Sequence, residues 1–433
     1  MGLGGKIDLV NGTPYDWLTT MPDKPYHMKT WSFPSTIPSG KTTTVYIEWD
    51  INTLKPSDDA GNVTFSLANT PYSFILQARA KNGFTLQVYL SNLTTINSAQ
   101  RTTLPIGFKH DGRVNFVLAG TTAAGFTSSI VPVAWMQSTL GLIGERRLSA
   151  VCMPGSHNAG MSINTGQTPF VTEDQCLCQS MSVYGQLVSG SRFFDIRPVV
   201  AGGEFATGHY SMVGKAVGWQ GMNGERIKDV IADVNRFTAD NRELVIINLS
   251  HDIDTDTKYR GFSSAQWAAL LEQLLALNNL VLFSNPTSVN LGDLTLNTLI
   301  RTRAAVLVLV DQNVPLGDFV NHGFYRSAQL AISDNYANTS DPARMVKDQL
   351  QKLQARAAGT FFVLSWTLTQ VAAKDVLFRP VAELAGSVNP LLFGLLMGSC
   401  SKAVYPCVLY EDFMNADRGV AAMAMAVNAV FGQ

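Results

Sequence analysis

Charge of one sign is what this sequence most plainly lacks. Its 433 residues hold 32 Lys and Arg against 33 Asp and Glu, a formal net charge of −1. A protein that tracks nucleic-acid phosphates needs a basic excess or stripe, so no nucleic-acid partner is expected. A local basic site for one phosphate is compatible with a neutral total. Long apolar runs are also missing. No stretch approaches the ~18 uninterrupted apolar residues of a membrane span, so no transmembrane segment is expected. The nearest, Leu391 to Met397 (LLFGLLM), reads as a buried helix of a large barrel. The opening MGLGGKIDLVNG has no apolar signal region, which leaves a cytoplasmic chain or a secreted one whose signal has been removed. The cysteines are few, at 152, 176, 178, 400 and 407, and the Cys176-x-Cys178 spacing fits neither a zinc site nor a dense disulfide framework. Buried thiols are expected. No GxGxxG or P-loop follows any apolar run, which removes support for a nucleotide site.

What is present has two rhythms. Apolar residues make up 46% and charged ones 15%, which excludes wholesale disorder, and the length exceeds one ordinary core. Residues 1–120 read as all-β. TTTVYIEWDI (42–51), GNVTFSLAN (61–69), YSFILQARA (72–80), GFTLQVYLSNL (83–93) and GRVNFVLAG (112–120) are short, β-branched and aromatic, with DDAGN and KNG as turns. This spacing predicts a β-sandwich accessory domain of two antiparallel sheets. Residues 121–147 read as a connector. From 148 to 433 apolar runs alternate with amphipathic helical stretches: LSAVCM, RFFDIRPV, LVIINLS, AAVLVLV, LAISD, FFVLSW and VYPCVLY, with helices at 223–239, 263–278, 341–357 and 413–430. Strand-then-helix units with strands buried on both faces predict an α/β domain, a TIM-like βα barrel. An open doubly wound sheet satisfies the same rhythm.

In a parallel barrel the working residues project from the C-terminal ends of the strands. PGSHNAG gives His157 and Asn158 there; FFDIRP gives Asp195 and Arg197, followed by His209 in GHY; LSHD gives His251; SDNY gives Asp334 and Tyr336; YEDF gives Glu411 and Asp412. Two histidines, an arginine and carboxylates on one face are the parts for acid–base cleavage of a phosphodiester. One imidazole takes a proton from the attacking hydroxyl, the other returns one to the leaving oxygen, and the guanidinium makes paired contacts to phosphate. Each residue also has a plainer reading. Asp334 and Tyr336 fit a turn, Asp412 a helix N-cap before FMNADRG, His251 a strand-end hydrogen-bonder, and Trp366 fits barrel core better than a sugar platform.

PGSHNAG, YGQL, SGSRFFDIRP, GHYS, NRELVIINLSHD, ISDNY and YEDFMNADR, in this order over roughly 145–430, resemble the catalytic X region of phosphatidylinositol-specific phospholipase C, in its bacterial and fungal metal-independent form. The resemblance implies His157 as general base, Asp412 as the carboxylate that orients it, Arg197 as the phosphate-binding arginine, Asp195 as the acid that positions Arg197, and His209 as general acid. Asp334 and Tyr336 match residues that contact the inositol ring, and His251 and Asn158 join them as substrate-side residues. A phospholipid or other inositol-phosphodiester substrate, peripheral membrane contact and no cofactor follow from the same likeness.

Three departures narrow it. Asn158 stands where the bacterial enzymes carry an aspartate behind the acid histidine. Asp311 stands where an inositol-contacting arginine is expected. LSHD replaces a lysine-bearing strand end. Arg197, whose fixed charge repels calcium, argues for a metal-free site over the calcium-dependent form. Two other classes remain: a glycerophosphodiesterase or sphingomyelinase D-like phosphodiesterase, and a non-catalytic lipid- or glycan-binding barrel.

Overall fold

The computed structural model describes residues 3–20, 27–51, 61–81, 83–214, 216–370, 379–414 and 418–432. The chain forms two compact units, both discontinuous. One holds Met1–Pro132, Pro390–Tyr405 and Asp417–Gln433; the other holds Val133–Asn389 and Pro406–Ala416. A linear division at 120 and 147 contains no such return of the C-terminal segments to the N-terminal unit. The helix Gly419–Val430 shows the reason. Its sequence, GVAAMAMAVNAV, is apolar all round, and eleven of its residues are buried. A helix without a polar face must be covered on every side. It packs on the strands Leu3–Gly12 and Arg113–Thr121, and Gly12 permits the approach: a Cβ there would lie 2.5 Å from that of Ala426.

Two sheets build the N-terminal unit. One runs Gly125–Ser128, Arg113–Thr121, Leu3–Gly12, Thr42–Trp49 and Met28–Trp31; the other runs Thr36–Ile37, Trp17–Thr20, Gly61–Leu67, Ser73–Arg79, Thr85–Tyr89 and Thr103–Gly107. Leu3–Gly12 pairs with Arg113–Thr121 in parallel, a departure from two purely antiparallel sheets. Gly61–Leu67 and Ser73–Arg79 bury every second residue, as half-buried strands do. Residues of both sheets, Ile47 and Phe116 from the first and Phe65 and Val88 from the second, belong to one apolar cluster. The segment 121–147 is more than a connector, because Gly125–Ser128 extends the first sheet and short helices follow at Trp135–Ser138 and Leu140–Ile143.

The second unit is built on eight parallel strands, in chain order Met153–Ser156, Phe193–Ile196, Leu244–Leu249, Ala305–Val310, Phe324–Arg326, Ile332–Asp334, Phe361–Ser365 and Val408–Glu411. In space the first strand lies between the second and the eighth, and the order then runs outward to the fifth on one side and the sixth on the other. This is a curled parallel sheet in barrel order, with no ladder between the fifth and sixth strands among the described residues. An open doubly wound sheet does not pair its last strand with its first. Burial on both faces accounts for the apolar runs: all six residues of Ala305–Val310 are buried. Helices Ser264–Leu274 and Pro342–Ala355 start where the sequence signals them, at the Ser263–Gln266 capping box and at Asp341 before Pro342. Trp366 is fully buried, its indole N–H donated to the Val388 carbonyl at 2.9 Å.

The N-terminal ends of the second and third strands are fixed by a buried ion pair. Arg192 Nε donates to Glu243 Oε2 at 2.8 Å, its Nη atoms donate to the Leu187, Ser191 and Val133 carbonyls, and the guanidinium lies 4.9 Å from the Phe237 ring. The residues of interest follow the opposite, C-terminal ends. There a second ladder, Gly166–Gln167, Trp219–Arg226, Glu204–Met212, Pro198–Ala201 and Ile253–Asp254, continues from the second and third strands.

Leu391 to Met397 lies in the helix Val381–Ser399, which is long and apolar enough by length and composition to cross a membrane and is half buried within the protein. It is not a helix of the barrel unit, as the sequence suggested. From Pro390 onward this segment groups with the N-terminal unit, and the division falls at the residue whose missing N–H interrupts a helix ladder.

Candidate active site

Strand register assembles the centre. The first and eighth strands pair Ser156 with Glu411, so the next residues, His157 and Asp412, come out side by side. The first and second strands pair Ser156 with Phe194, which brings Asp195 to the same level. His157 is pinned through its backbone: its N–H donates to the Glu411 carbonyl at 3.1 Å, and its own carbonyl accepts from Gln179 Nε2 at 2.8 Å.

The side chains form one connected line. His157 Nδ1 lies 2.6 Å from Asp412 Oδ1, Arg197 Nη2 lies 2.8 Å from His157 Nε2, and Arg197 Nε donates to Asp195 Oδ2 at 2.9 Å. A guanidinium has donors only, so Nε2 is the acceptor and the ring proton sits on Nδ1, donated to Asp412. The imidazole thus presents an unprotonated Nε2 beside a fixed positive charge. Asp195 is saturated: Oδ2 also accepts from the Tyr410 hydroxyl at 2.8 Å and the Asn158 N–H at 3.1 Å, and Oδ1 accepts from Ser250 Oγ at 2.7 Å. Burial opposes ionisation of this carboxyl, but Arg197, His157 and Ser250 outweigh it and hold it well below the usual carboxylate range.

His209 has a different environment. It sits in the strand Glu204–Met212 of the second ladder, and its Nδ1 lies 3.0 Å from the Cys176 carbonyl. A carbonyl only accepts, so Nδ1 carries the proton of the neutral ring. Burial and the Arg197 charge lower its pKa to about 4. The polar atom facing it beside that carbonyl is Cys178 Sγ, 3.5 Å from Nδ1. Asn158, which stands in the place of the expected aspartate, does not hydrogen-bond His209 among the described residues. Its side-chain amide faces Cys178 Sγ at 3.8 Å, and its Oδ1 is buried without a partner.

The remaining residues divide. His251, held at φ +54°, donates from Nδ1 to Ser250 Oγ at 2.8 Å, so Ser250 relays it to Asp195. Burial and the Arg197 charge lower the His251 pKa. Asp334, exposed at the end of its strand, accepts from Ser365 Oγ and lies within electrostatic reach of Asp195, His157 and Arg197; desolvation by the surrounding protein raises its pKa. Tyr336 is 59% exposed, and its hydroxyl has no hydrogen-bond partner among the described residues. Asn158 reaches the centre through its backbone alone. Asp412 is no N-cap: the last helix begins at Gly419. Tyr410, Ser250 and Gln179, which the sequence did not single out, hold the centre together.

His157, Cys178 and Asp412 place their ligand atoms within 4.8 Å of one another, a set able to hold a metal ion. A cation there would have to displace Asp412 from Nδ1 or Arg197 from Nε2, and the Arg197 charge stands against it. None of the five cysteines is disulfide-bonded, and four of them are buried. Burial raises Cys176 to about 12 and Cys178 well above its usual value.

No protein-family model matches the sequence, and no curated protein does. Among solved structures the chain is similar to bacterial phosphatidylinositol-specific phospholipase C. A mutant of the Staphylococcus aureus enzyme shares 18% identity at a TM-score of 0.47, over 66% of this chain and 92% of that one. A structure of the same enzyme concerned with modulation of its membrane binding gives 18%, 0.49, 69% and 98%. The Listeria monocytogenes enzyme gives 17%, 0.45, 69% and 99%. The family these structures represent is the one the motifs resemble. The chemistry of the site is carried by its own geometry.

Proposed function

We propose that this protein cleaves phosphodiesters in the manner of phosphatidylinositol-specific phospholipase C. The observation that carries the reading is the line Asp412–His157–Arg197–Asp195, in which an unprotonated imidazole nitrogen is oriented by a carboxylate and touches a guanidinium. His157 Nε2 takes the proton of a hydroxyl neighbouring the phosphate, on an inositol or another vicinal diol. That oxygen forms the new P–O bond while the bond to the lipid alcohol breaks. Arg197 turns its donors to the phosphate oxygens and stabilises the charge that grows there. His209 gives its proton to the departing alcohol oxygen, leaving a cyclic phosphodiester and diacylglycerol. The bound phosphodiester anion raises the proton affinity of His209, which is low in the empty site. Asp334, Tyr336 and His251 are the head-group residues in this scheme, while Asn158, fully buried, supports the centre through its N–H to Asp195.

The eight-stranded unit, Val133–Asn389 with Pro406–Ala416, is read as a TIM-like barrel. Residues 1–120 are read as an accessory sandwich, supported by the apolar cluster to which both sheets contribute. Phosphatidylinositol in vesicles tests the assignment. Release of water-soluble phosphate that survives a chelator supports it. No turnover on any vicinal-hydroxyl phosphodiester, or activity lost to the chelator and restored by calcium, overturns it.

A further inference from the structure

His157 has a carboxylate on its Nδ1, but no carboxylate hydrogen-bonds His209 among the described residues. Two neutral groups face the His209 Nδ1–H instead, the Cys176 carbonyl at 3.0 Å and Cys178 Sγ at 3.5 Å. The carbonyl is available because Cys176 ends the short helix Glu173–Cys176, and the last carbonyls of a helix have no partner within it. Accepting the Nδ1 proton settles the tautomer. It does not settle the orientation of the ring, because a carbonyl oxygen accepts over a broad range of directions.

The sulfur is held in place from several sides. The Cys178 N–H donates to the Met161 carbonyl at 3.0 Å, and the Cys178 carbonyl accepts from the Phe413 N–H at 2.7 Å. Phe413 follows Asp412, and Gln179, next after Cys178, donates to the His157 carbonyl, so the backbone of Cys178 is tied to the segments that carry the base. Its side chain is fully buried, and burial keeps the thiol protonated. The S–H donates to the Cys176 carbonyl at 3.5 Å, while Asn158 Nδ2 approaches the sulfur at 3.8 Å. A thiol has one weak donor, and its sulfur accepts weakly. With the donor directed to the carbonyl, the lone pairs face two N–H groups, those of Asn158 Nδ2 and His209 Nδ1. Behind the ring, Met222 pairs with His209 in the ladder and shares an apolar cluster with Met161, Cys176 and Cys178.

We propose that Cys178 is a positioning residue for His209: its sulfur and the Cys176 carbonyl together hold Nδ1 at two points and so aim Nε2 at the departing oxygen. The proposal rests on the reading of His209 as the general acid. A residue that acts only through the acid matters in proportion to the leaving group's need for a proton. A lipid alcohol needs one, whereas the far more acidic p-nitrophenol departs without it. A thiol that merely packs makes no such distinction between substrates. Neither does one that acts through His157, whose proton removal both substrates require.

The test compares Cys178→Ala and Cys178→Ser in the full chain on phosphatidylinositol and on the p-nitrophenyl ester of inositol phosphate, with folding checked by circular dichroism and unfolding temperature. Cys178→Ala should lower kcat on the lipid roughly tenfold or more with KM unchanged, and on the nitrophenyl ester about twofold at most. Cys178→Ser, whose hydroxyl can accept from Nδ1 and donate to the carbonyl, should recover most of the loss. In a His209→Ala background Cys178→Ala should cost nothing further, because both act through one proton transfer. Equal losses on the two substrates, a full loss persisting in the His209→Ala background, or a near-native rate of Cys178→Ala on the lipid overturns the proposal. A second arm is independent of turnover. The ¹⁵N NMR signals of the His209 ring in the free protein should report one Nδ1–H form in the native chain, change in Cys178→Ala and return in Cys178→Ser; signals unmoved by Cys178→Ala overturn the proposal. Absence of turnover by the native chain on any vicinal-hydroxyl phosphodiester would remove the enzymatic reading, and the NMR arm would still decide whether Cys178 positions the ring.

Discussion

Asp412 Oδ1 lies 2.6 Å from His157 Nδ1 across 255 residues of sequence. The pairing of the eighth strand with the first delivers both side chains to one place, and the Arg197 guanidinium on Nε2 then determines which ring nitrogen holds the proton. The pairing of the first strand with the eighth and the tautomer of His157 are therefore linked.

Removing the carboxylate tests that link. Asp412→Ala should leave secondary structure unchanged and lower kcat by roughly 10²–10⁴, the range of a general-base contribution, with little change in KM. His157→Ala should cost about as much, and the double variant little more, because the two act as a unit. Near-native turnover in either folded single variant contradicts the assignment of the base.

His209 should titrate unusually low. With burial and Arg197 holding its pKa to about 4, its ring nitrogens in a ¹⁵N NMR titration of the free protein should change state near that pH, well below an ordinary histidine. A bound phosphodiester analogue should move the midpoint upward. An ordinary midpoint in the free protein would show that the ring is not enclosed as described.

Glu225, buried in the strand after His209, is pushed up to about 7 by burial, despite hydrogen bonds from Ser162 Oγ at 2.6 Å and the Val183 N–H at 3.4 Å. Its folded pKa is raised, so its stabilising contribution is full below the unfolded value near 4.5 and is lost as pH rises through about 7. Glu225→Gln stays neutral. Its stability relative to the native chain should therefore climb between these values and then level off, by on the order of 3 kcal/mol. A gap in unfolding free energy that is constant from pH 5 to 8 contradicts this.

Five of the eight parallel strands were legible because burial on both faces writes a continuous apolar run. LSAVCM meets the strand Met153–Ser156 only at Met153, and LAISD meets Ile332–Asp334, which is not buried. Phe324–Arg326 was not legible, being three residues long and ending in a charge. Leu3–Gly12 was hidden by its glycines, which serve close packing: a Cβ on Gly5 would lie 2.6 Å from the Lys109 carbonyl oxygen. The placement of LLFGLLM failed because apolar composition says that a helix is covered but not by what. At the site, His157, Asp195, Arg197 and Asp412 could be read as polar residues ending apolar runs. Tyr410 could not, since an aromatic within a buried strand reads as core; here its ring packs edge-on to His157 at 5.3 Å while its hydroxyl serves Asp195. The partner of His209 is a backbone carbonyl, which no side-chain pattern announces.

The central claim is that a neighbouring hydroxyl, not water, attacks phosphorus once His157 Nε2 has taken its proton. Such an attack gains the advantage of an intramolecular step and must yield a cyclic phosphodiester before any ring opening. Phosphorus NMR of the first turnovers on phosphatidylinositol reads this directly. A cyclic phosphodiester signal that rises first, with any acyclic monoester following it, is the predicted result. An acyclic monoester from the first turnover, with no cyclic signal at any time, would contradict the account.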